Sequence, residues 1–337
     1  MDTDFVKYTS IGAKAKYLLL AKNKIESEKC FKEYNRLKQT IKLGKVSTEL
    51  EDKETELLNE YLNEKTEFIL QLSTNEILYF FSKEEDILVN LDIVNEFSIE
   101  NIKKSSMNVL NVSGFDINSN FKKLNESDKI QKEINQNYSI THTIKCETLF
   151  IKVFVKGIIQ GKLNYYKVYE YLQEHTWFGE KFNRSMTTKE IDKNSSWLSM
   201  LAPGIHNLFS QFELSVLMST NQINNFILAI DSLTLKFEGA IRDFIRLSGG
   251  NTSTSKRGEI KEQLLEELLE NEIIHNQFSK KDIELFKYTF TNKGKNIRNN
   301  IAHSFYQYSD YTMQKAMLIF FCILRLGKFQ VTKKTSN

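Results

Sequence analysis

The stretch Phe226-Ile227-Leu228-Ala229-Ile230-Asp231-Ser232-Leu233-Thr234-Leu235-Lys236-Phe237-Glu238-Gly239-Ala240-Ile241-Arg242-Asp243-Phe244-Ile245-Arg246-Leu247-Ser248 decides the fold class. In it Phe226, Ile230, Leu233, Phe237, Ile241 and Phe244 recur at spacings of four and three. An α-helix brings that spacing onto one face, and such an apolar face must be buried against other helices. Gly249-Gly250 follows directly and suits a stop, because glycine takes the left-handed backbone that ends helices. Asp231, Glu238 and Arg242 fall on the side away from the stripe. Glu238 and Arg242 are four apart with the acid first, the favourable order for a pair contributing roughly a few tenths of a kcal/mol. The pair reads either as a surface bridge or as a brace that orients a catalytic arginine or histidine.

Helical patterns extend on both sides. Downstream they cover 260–274, 282–290, 296–308 and 311–326; upstream they cover 197–218, with the only proline, Pro203, near its first turns. Further back, Gly12 to Lys83 alternates apolar and charged residues with a break at Leu43-Gly44-Lys45, as in an antiparallel helix pair or small bundle. Residues 84–138 are punctuated by Asn, Ser and Lys and read as loops with short strands. Ile144 to Gly157 reads as an apolar helix, Leu163 to Phe178 as an aromatic one, and the polar run Asn183 to Ser196 as a connecting loop. The expectation is a mainly α chain, with a mostly helical N-terminal region over 1–195 and an all-α bundle over 196–330.

Composition supports this. One proline and 13 glycines in 337 residues are too few for the turns of an all-β fold. A net charge of +3 excludes a polycation that coats nucleic acid, so any anion-binding surface is local. Cys30, Cys146 and Cys322 are odd in number and outside any C-x-x-C spacing, which reads as free thiols in a reducing cytosol. Met1-Asp2-Thr3-Asp4 lacks the basic and apolar regions of a signal peptide. The apolar run Ala316 to Leu326 contains Arg325 and is too short to span a bilayer, so it reads as a core helix. His142 and Cys146 stand at a ligand-like spacing, but no further pair follows, and no metal or cofactor is expected. Phosphate-loop, nucleophile-elbow and H-E-x-x-H motifs are absent.

The chemistry concentrates in Arg298-Asn299-Asn300-Ile301-Ala302-His303. Histidine moves protons near neutral pH, and arginine holds phosphate oxygens as their charge grows. Asn296 is the expected N-cap of the helix that carries the motif. At about 100° per residue, Ile297, Ile301, Phe305 and Tyr308 form its packing stripe, while His303 points roughly 160° away. On that wheel Asn299, Asn300 and Tyr306 lie near His303. Arg298 projects about 140° from the histidine, its long side chain free to swing over the helix end. Lys287, Lys293, Lys295 and Arg298 supply cations from 287 to 303, with no acid among them. That run suits phosphate, or is a solvated basic loop.

The R-N-x-x-A-H string on a late helix of an all-α domain resembles the HEPN superfamily (higher eukaryotes and prokaryotes nucleotide-binding). Taken together, Asp231 to Asp243 and Gly294 to His303 resemble a bacterial HEPN-like domain found at the C-terminus of larger helical proteins. The resemblance covers roughly Trp197 to Gly327, and where many relatives carry glycine after the histidine this chain has Ser304. It implies a four-helix core, a homodimer with both motifs in one cleft, and, in many members, metal-independent endoribonuclease activity. On that footing His303 is a general base or acid for attack of the RNA 2′-OH, Arg298 neutralises the phosphate oxygens, and Asn299 orients one of them or donates to the phosphate. Asn300, Glu238, Arg242 and Tyr306 support the site, and Lys293 and Lys295 draw in the RNA backbone. The partners implied are RNA, a second copy and an antitoxin or defence-system protein, with no membrane. The alternative is a non-catalytic nucleotide-binding or interaction module.

Overall fold

The computed structural model describes residues 3–39, 52–104, 113–115, 121–123, 125–181, 196–219, 225–256 and 258–330. The fold is mainly helical. Helices α1 (Thr3–Leu20), α2 (Lys24–Lys38), α3 (Asp52–Gln71), α4 (Thr74–Lys83) and α5 (Leu91–Lys104) lead to an antiparallel hairpin, β1 (Ser113–Phe115) and β2 (Phe121–Lys123). Helix α6 (Glu126–His142) continues through a π-helical turn at Thr143–Glu147 into α7 (Thr148–Ile159). Next come α8 (Tyr165–His175), a 3-10 turn at Trp177–Gly179, α9 (Trp197–Leu217) and α10 (Ile227–Leu247). A second hairpin, β3 (Ser253–Lys256) and β4 (Glu259–Glu262), precedes α11 (Leu265–Leu269), α12 (Glu272–Gln277), α13 (Lys280–Phe290), α14 (Ile297–Ala302) and α15 (Met313–Leu326).

Three sequence expectations need correction. Residues 84–138 are not mostly loop, because α5 and α6 occupy much of them. The cause is a thin apolar period: α6 buries only Tyr138 and His142. Its start is nonetheless built in side chains, since the Asn125 amide oxygen accepts from the Asp128 N–H at 2.8 Å. The helix expected over 260–274 is a hairpin followed by two short helices. Gly258 turns the hairpin at φ +80°, and Ile260, which suggested a helical stripe, is 84% exposed. The helix expected over 296–308 stops at Ala302. The break at Leu43-Gly44-Lys45 and most of the connecting segment before Ser196 lie outside the described residues.

The chain divides into one unit of residues 1–55 and 98–133 and a second of 56–97 and 134–337. The first contains the α1–α2 pair, where Tyr8 stacks on Tyr34 with ring centroids 4.4 Å apart and hydroxyls 2.7 Å apart. A Cβ on Gly12 would lie 2.7 Å from the Tyr34 ring, so the glycine lets the helices approach. The expected boundary near residue 195 has no counterpart in this division. Within the second unit, α8 and α7 pack on α9, and α4 packs on α15.

The second unit is organised around α15, which is buried at every residue from Ala316 to Leu326, as an all-round apolar helix must be. It contacts α4, α7, α10 and α13. The stripe of α10 is buried at all six positions, from Phe226 to Phe244. At the end of α15, inside this core, sits a cation. Arg325 is wholly buried and donates from Nε to Asp282 Oδ1 at 2.6 Å. It also donates from Nη1 to the carbonyls of Glu84 (2.8 Å) and Phe81 (3.4 Å) at the end of α4. Asp282 accepts from Lys328 Nζ at 2.7 Å and shares a reciprocal cap with Ser279 at the start of α13. Burial alone would raise the Asp282 carboxyl, but Arg325 and Lys328 outweigh it and hold the group below its ordinary value.

A carboxyl lowered in the folded state adds stability above the unfolded pKa, and that stability is lost as pH falls through the folded value. Urea unfolding is therefore expected to show stability declining as pH drops below about 4. Asp282→Asn strands a buried guanidinium and is expected to cost about 3–5 kcal/mol at neutral pH. A loss under about 1 kcal/mol would mean that solvent reaches Arg325.

Candidate functional site around Arg298 and His303

The motif is presented by the chain that leaves α13. Lys295 N–H bonds back to the Tyr288 carbonyl at 2.7 Å, and Asn296 N–H to the Thr291 carbonyl at 3.0 Å. This doubling-back brings the backbone so close that a Cβ on Gly294 would lie 2.2 Å from the Tyr288 oxygen. Asn296 then takes a left-handed conformation, φ +52°, which asparagine tolerates better than most residues. It occupies the N-cap position, as expected, but its side chain does not cap the helix. The Asn296 Oδ1 accepts from Asn299 Nδ2 at 2.9 Å instead.

Helix α14 ends at its C-cap, His303, through a six-residue closure. Ser304 N–H bonds to the Ile301 carbonyl (3.0 Å) and Phe305 N–H to the Asn300 carbonyl (2.8 Å), with Ser304 left-handed at φ +55°. These two bonds and that conformation define the Schellman motif. Helix α10 ends the same way on Gly249, with φ +82°. The wheel drawn through Tyr308 consequently fails beyond Ala302. Ile297 is buried and Ile301 packs on the core, but Phe305 is 44% and Tyr308 69% exposed.

Arg298 turns back onto α10. Its Nε donates to Glu238 Oε2 at 2.7 Å and its Nη1 to Asn299 Oδ1 at 3.1 Å, while Nη2 has no hydrogen-bond partner among the described residues. The other oxygen of Glu238 accepts from Arg242 Nη2 at 3.1 Å. That nitrogen also donates to the Gln263 carbonyl at 2.8 Å, and Arg242 Nε lies 3.4 Å from Glu262. Glu262 in turn meets Arg246 at 3.0 Å, and Arg246 reaches Asp243 at 3.4 Å. Three arginines thus alternate with three carboxylates from α14 across α10 to β4.

The acid-free run from 287 to 303 is consequently not an unopposed positive patch. Glu238 faces Arg298, and Glu270 and Glu284 face the buried Lys287 at 2.9 and 3.5 Å. Lys293 and Lys295 stay exposed, the latter with Nζ over the Tyr288 ring at 5.6 Å. Beside Lys293 lies a cavity of about 380 Å³ walled partly by Glu266, Glu270 and Lys287. Neither Arg298 nor His303 lines it.

His303 is exposed, its ring against Phe305 with centroids 5.5 Å apart, and its nitrogens have no hydrogen-bond partner among the described residues. Asn300 is buried beneath the motif. Its Nδ2 donates to the Lys295 carbonyl at 3.3 Å, while its Oδ1 and the Tyr306 hydroxyl are buried without hydrogen bonds among the described residues. Burial pushes the Tyr306 phenol up to about 12, and the neighbouring Asn300 side chain opposes this. Tyr306 therefore stays protonated near neutral pH and is suited to donating a hydrogen bond rather than to exchanging protons.

The fold thus gathers Arg298, Asn299, Glu238 and Arg242 into one network, places Asn300 and Tyr306 below it, and leaves His303, Lys293 and Lys295 at the surface. Sequence reasoning missed Glu262, Gln263 and Thr252, which hold Arg242 and Arg246. The usable signal was Gly258 between two short polar runs, a hairpin pattern. The chain was compared with protein-family models, curated proteins and solved structures, and it matches none of them.

Because Ser304 alone carries the left-handed position that closes α14, Ser304→Val is expected to lower stability by about 1–2 kcal/mol and Ser304→Gly to leave it unchanged or raise it. Urea midpoints compare the two. Equal loss in both would rule out the left-handed closure.

Proposed function

We propose that this chain is a metal-independent endoribonuclease of the HEPN type, acting in a cleft shared by two copies. The observation that carries this reading is the 2.7 Å contact of Arg298 with Glu238, which joins in space the two strings on which the resemblance rests. Glu238, itself fixed by Arg242, sets the plane of the guanidinium and leaves Nη2 for a phosphate oxygen. Arg298 neutralises charge as it develops on the non-bridging oxygens, the role of an oxyanion hole. His303, exposed and free of internal hydrogen bonds, takes the proton from the 2′-OH or returns one to the leaving 5′-oxygen. The products are a 2′,3′-cyclic phosphate and a 5′-OH. Lys293 and Lys295 steer the backbone, which makes binding salt-sensitive. Phe305 and Tyr308 offer exposed apolar area beside His303 for the second copy to cover. A toxin or phage-defence role, controlled by an antitoxin or partner protein, fits an enzyme of this kind.

One observation favours the second reading, a non-catalytic nucleotide-binding or interaction module. Two of the three Arg298 nitrogens are already engaged by protein acceptors.

The deciding assay is cleavage of mixed RNA in EDTA by the parent, His303→Ala and Arg298→Ala. The expected result is cyclic-phosphate ends from the parent, a loss of about 10²–10⁴-fold in His303→Ala, and no cleavage of DNA. Cleavage that survives both substitutions, or that EDTA abolishes in the parent, would sink the proposal. An inactive parent that is also harmless on expression points to the second reading. A strict monomer in solution rules out the shared cleft.

A further inference from the structure

Away from Arg298, the start of α8 and the middle of α9 carry a cluster of rings at the surface. Tyr165 is its hub, with ring centroids 5.4 Å from Tyr166, 5.9 Å from Tyr169 and 4.8 Å from His206. Tyr166 is 77% exposed, and His206 is exposed on α9. Packing of the helices does not account for Tyr166. The core side of this junction is made by Leu163, Val168, Leu172, Ile205 and Leu208.

The chain leading to the rings is basic, although Lys156 is paired with Glu67 at 2.6 Å and the Lys162 and Lys167 ammoniums donate to backbone carbonyls of Leu70, Leu72 and Gly161. From Thr148 to Tyr169 the chain has Lys152, Lys156, Lys162 and Lys167 and no carboxylate. From Trp197 to Phe212, the facing helix has His206 as its only ionisable side chain. The α8 N-terminus, capped by Asn164, adds partial positive charge at the same end. Glu76 of α4, which also packs on α8, is turned back onto the Ser73 N–H at 2.8 Å. The first carboxylate beyond the run is Glu170, one turn past Tyr166.

We propose that Tyr166, with Tyr165, Tyr169 and His206 behind it, is a stacking platform for unpaired bases of single-stranded RNA whose backbone runs toward Lys162 and Lys167. The choice of RNA rests on the ribonuclease reading; the rings and cations do not. Every base has a face that stacks on a tyrosine, and the backbone phosphates match the lysines, so binding needs no particular sequence. A proline-rich peptide also docks on exposed aromatic rings, but it carries no phosphates to meet Lys162 and Lys167, neither of which has a carboxylate partner among the described residues.

The test is fluorescence anisotropy with labelled single-stranded RNA of mixed sequence and the full chain carrying His303→Ala, so that the probe stays intact. Tyr166→Ala, at a site too exposed to threaten folding, is expected to weaken binding about 5- to 100-fold. Tyr166→Trp is expected to preserve binding, Glu170→Lys to tighten it, and an abasic oligomer to bind like the alanine variant. Unchanged affinity in Tyr166→Ala, equal binding of the abasic oligomer, or a polyproline peptide that outcompetes the RNA overturns the platform. The two readings fail separately. Cleavage lost in His303→Ala with RNA binding unchanged in Tyr166→Ala removes only the platform. RNA binding lost in Tyr166→Ala with an uncleaved substrate in the parent removes only the nuclease.

Discussion

The second unit depends on a charge where none is cheap to keep. Arg325 and Asp282 are both wholly buried, and ions out of water are tolerated only when paired and hydrogen-bonded. Here the pairing also links three elements. The guanidinium closes the carbonyl end of α4, and the carboxylate serves the amide end of α13, while the arginine itself ends α15. An apolar contact at this point would tolerate sliding, whereas directional bonds set the register of α4, α13 and α15 together. The same bonds tie α4, which precedes residue 195, to α13 and α15, which follow it.

From that junction the constraint passes to the motif through backbone geometry. Helix α13 is set at its first turn, and its last turn supplies the carbonyls that fold the following segment back. The segment is so tight that Gly294 admits no side chain, and two left-handed residues, Asn296 and Ser304, bracket the six residues of α14. His303 is therefore placed at a helix terminus instead of on a helix face. Its ring direction follows from the closure after it more than from the helical period before it.

Much of the architecture was legible because burial and period agree. The α10 stripe and the Ala316–Leu326 run are apolar wherever the helix turns inward, so spacing alone identified them. Where the two disagree, reading failed. Ile260 is apolar but exposed, and it drew a helix over a hairpin. The end of α14 was invisible because serine seldom marks a left-handed stop, whereas a glycine at that position would have marked it. The Glu238–Arg242 spacing is a local signal and was readable. Its contact with Arg298 spans 60 residues of chain and depends on how α14 packs on α10, which no local pattern encodes.

The bracing of Arg298 has a thermodynamic side. A free arginine side chain loses about 1.5–2 kcal/mol of rotamer entropy when it is immobilised. With Nε on Glu238 and Nη1 on Asn299, that loss is taken during folding, so an arriving anion does not incur it again. The same carboxylate offsets the arginine's charge and weakens its pull at a distance. Under the proposed reading, a donor that is rigid but electrostatically muted favours an oxygen that arrives along the Nη2 direction over anions that merely pass nearby. Such a group selects by angle before it selects by charge.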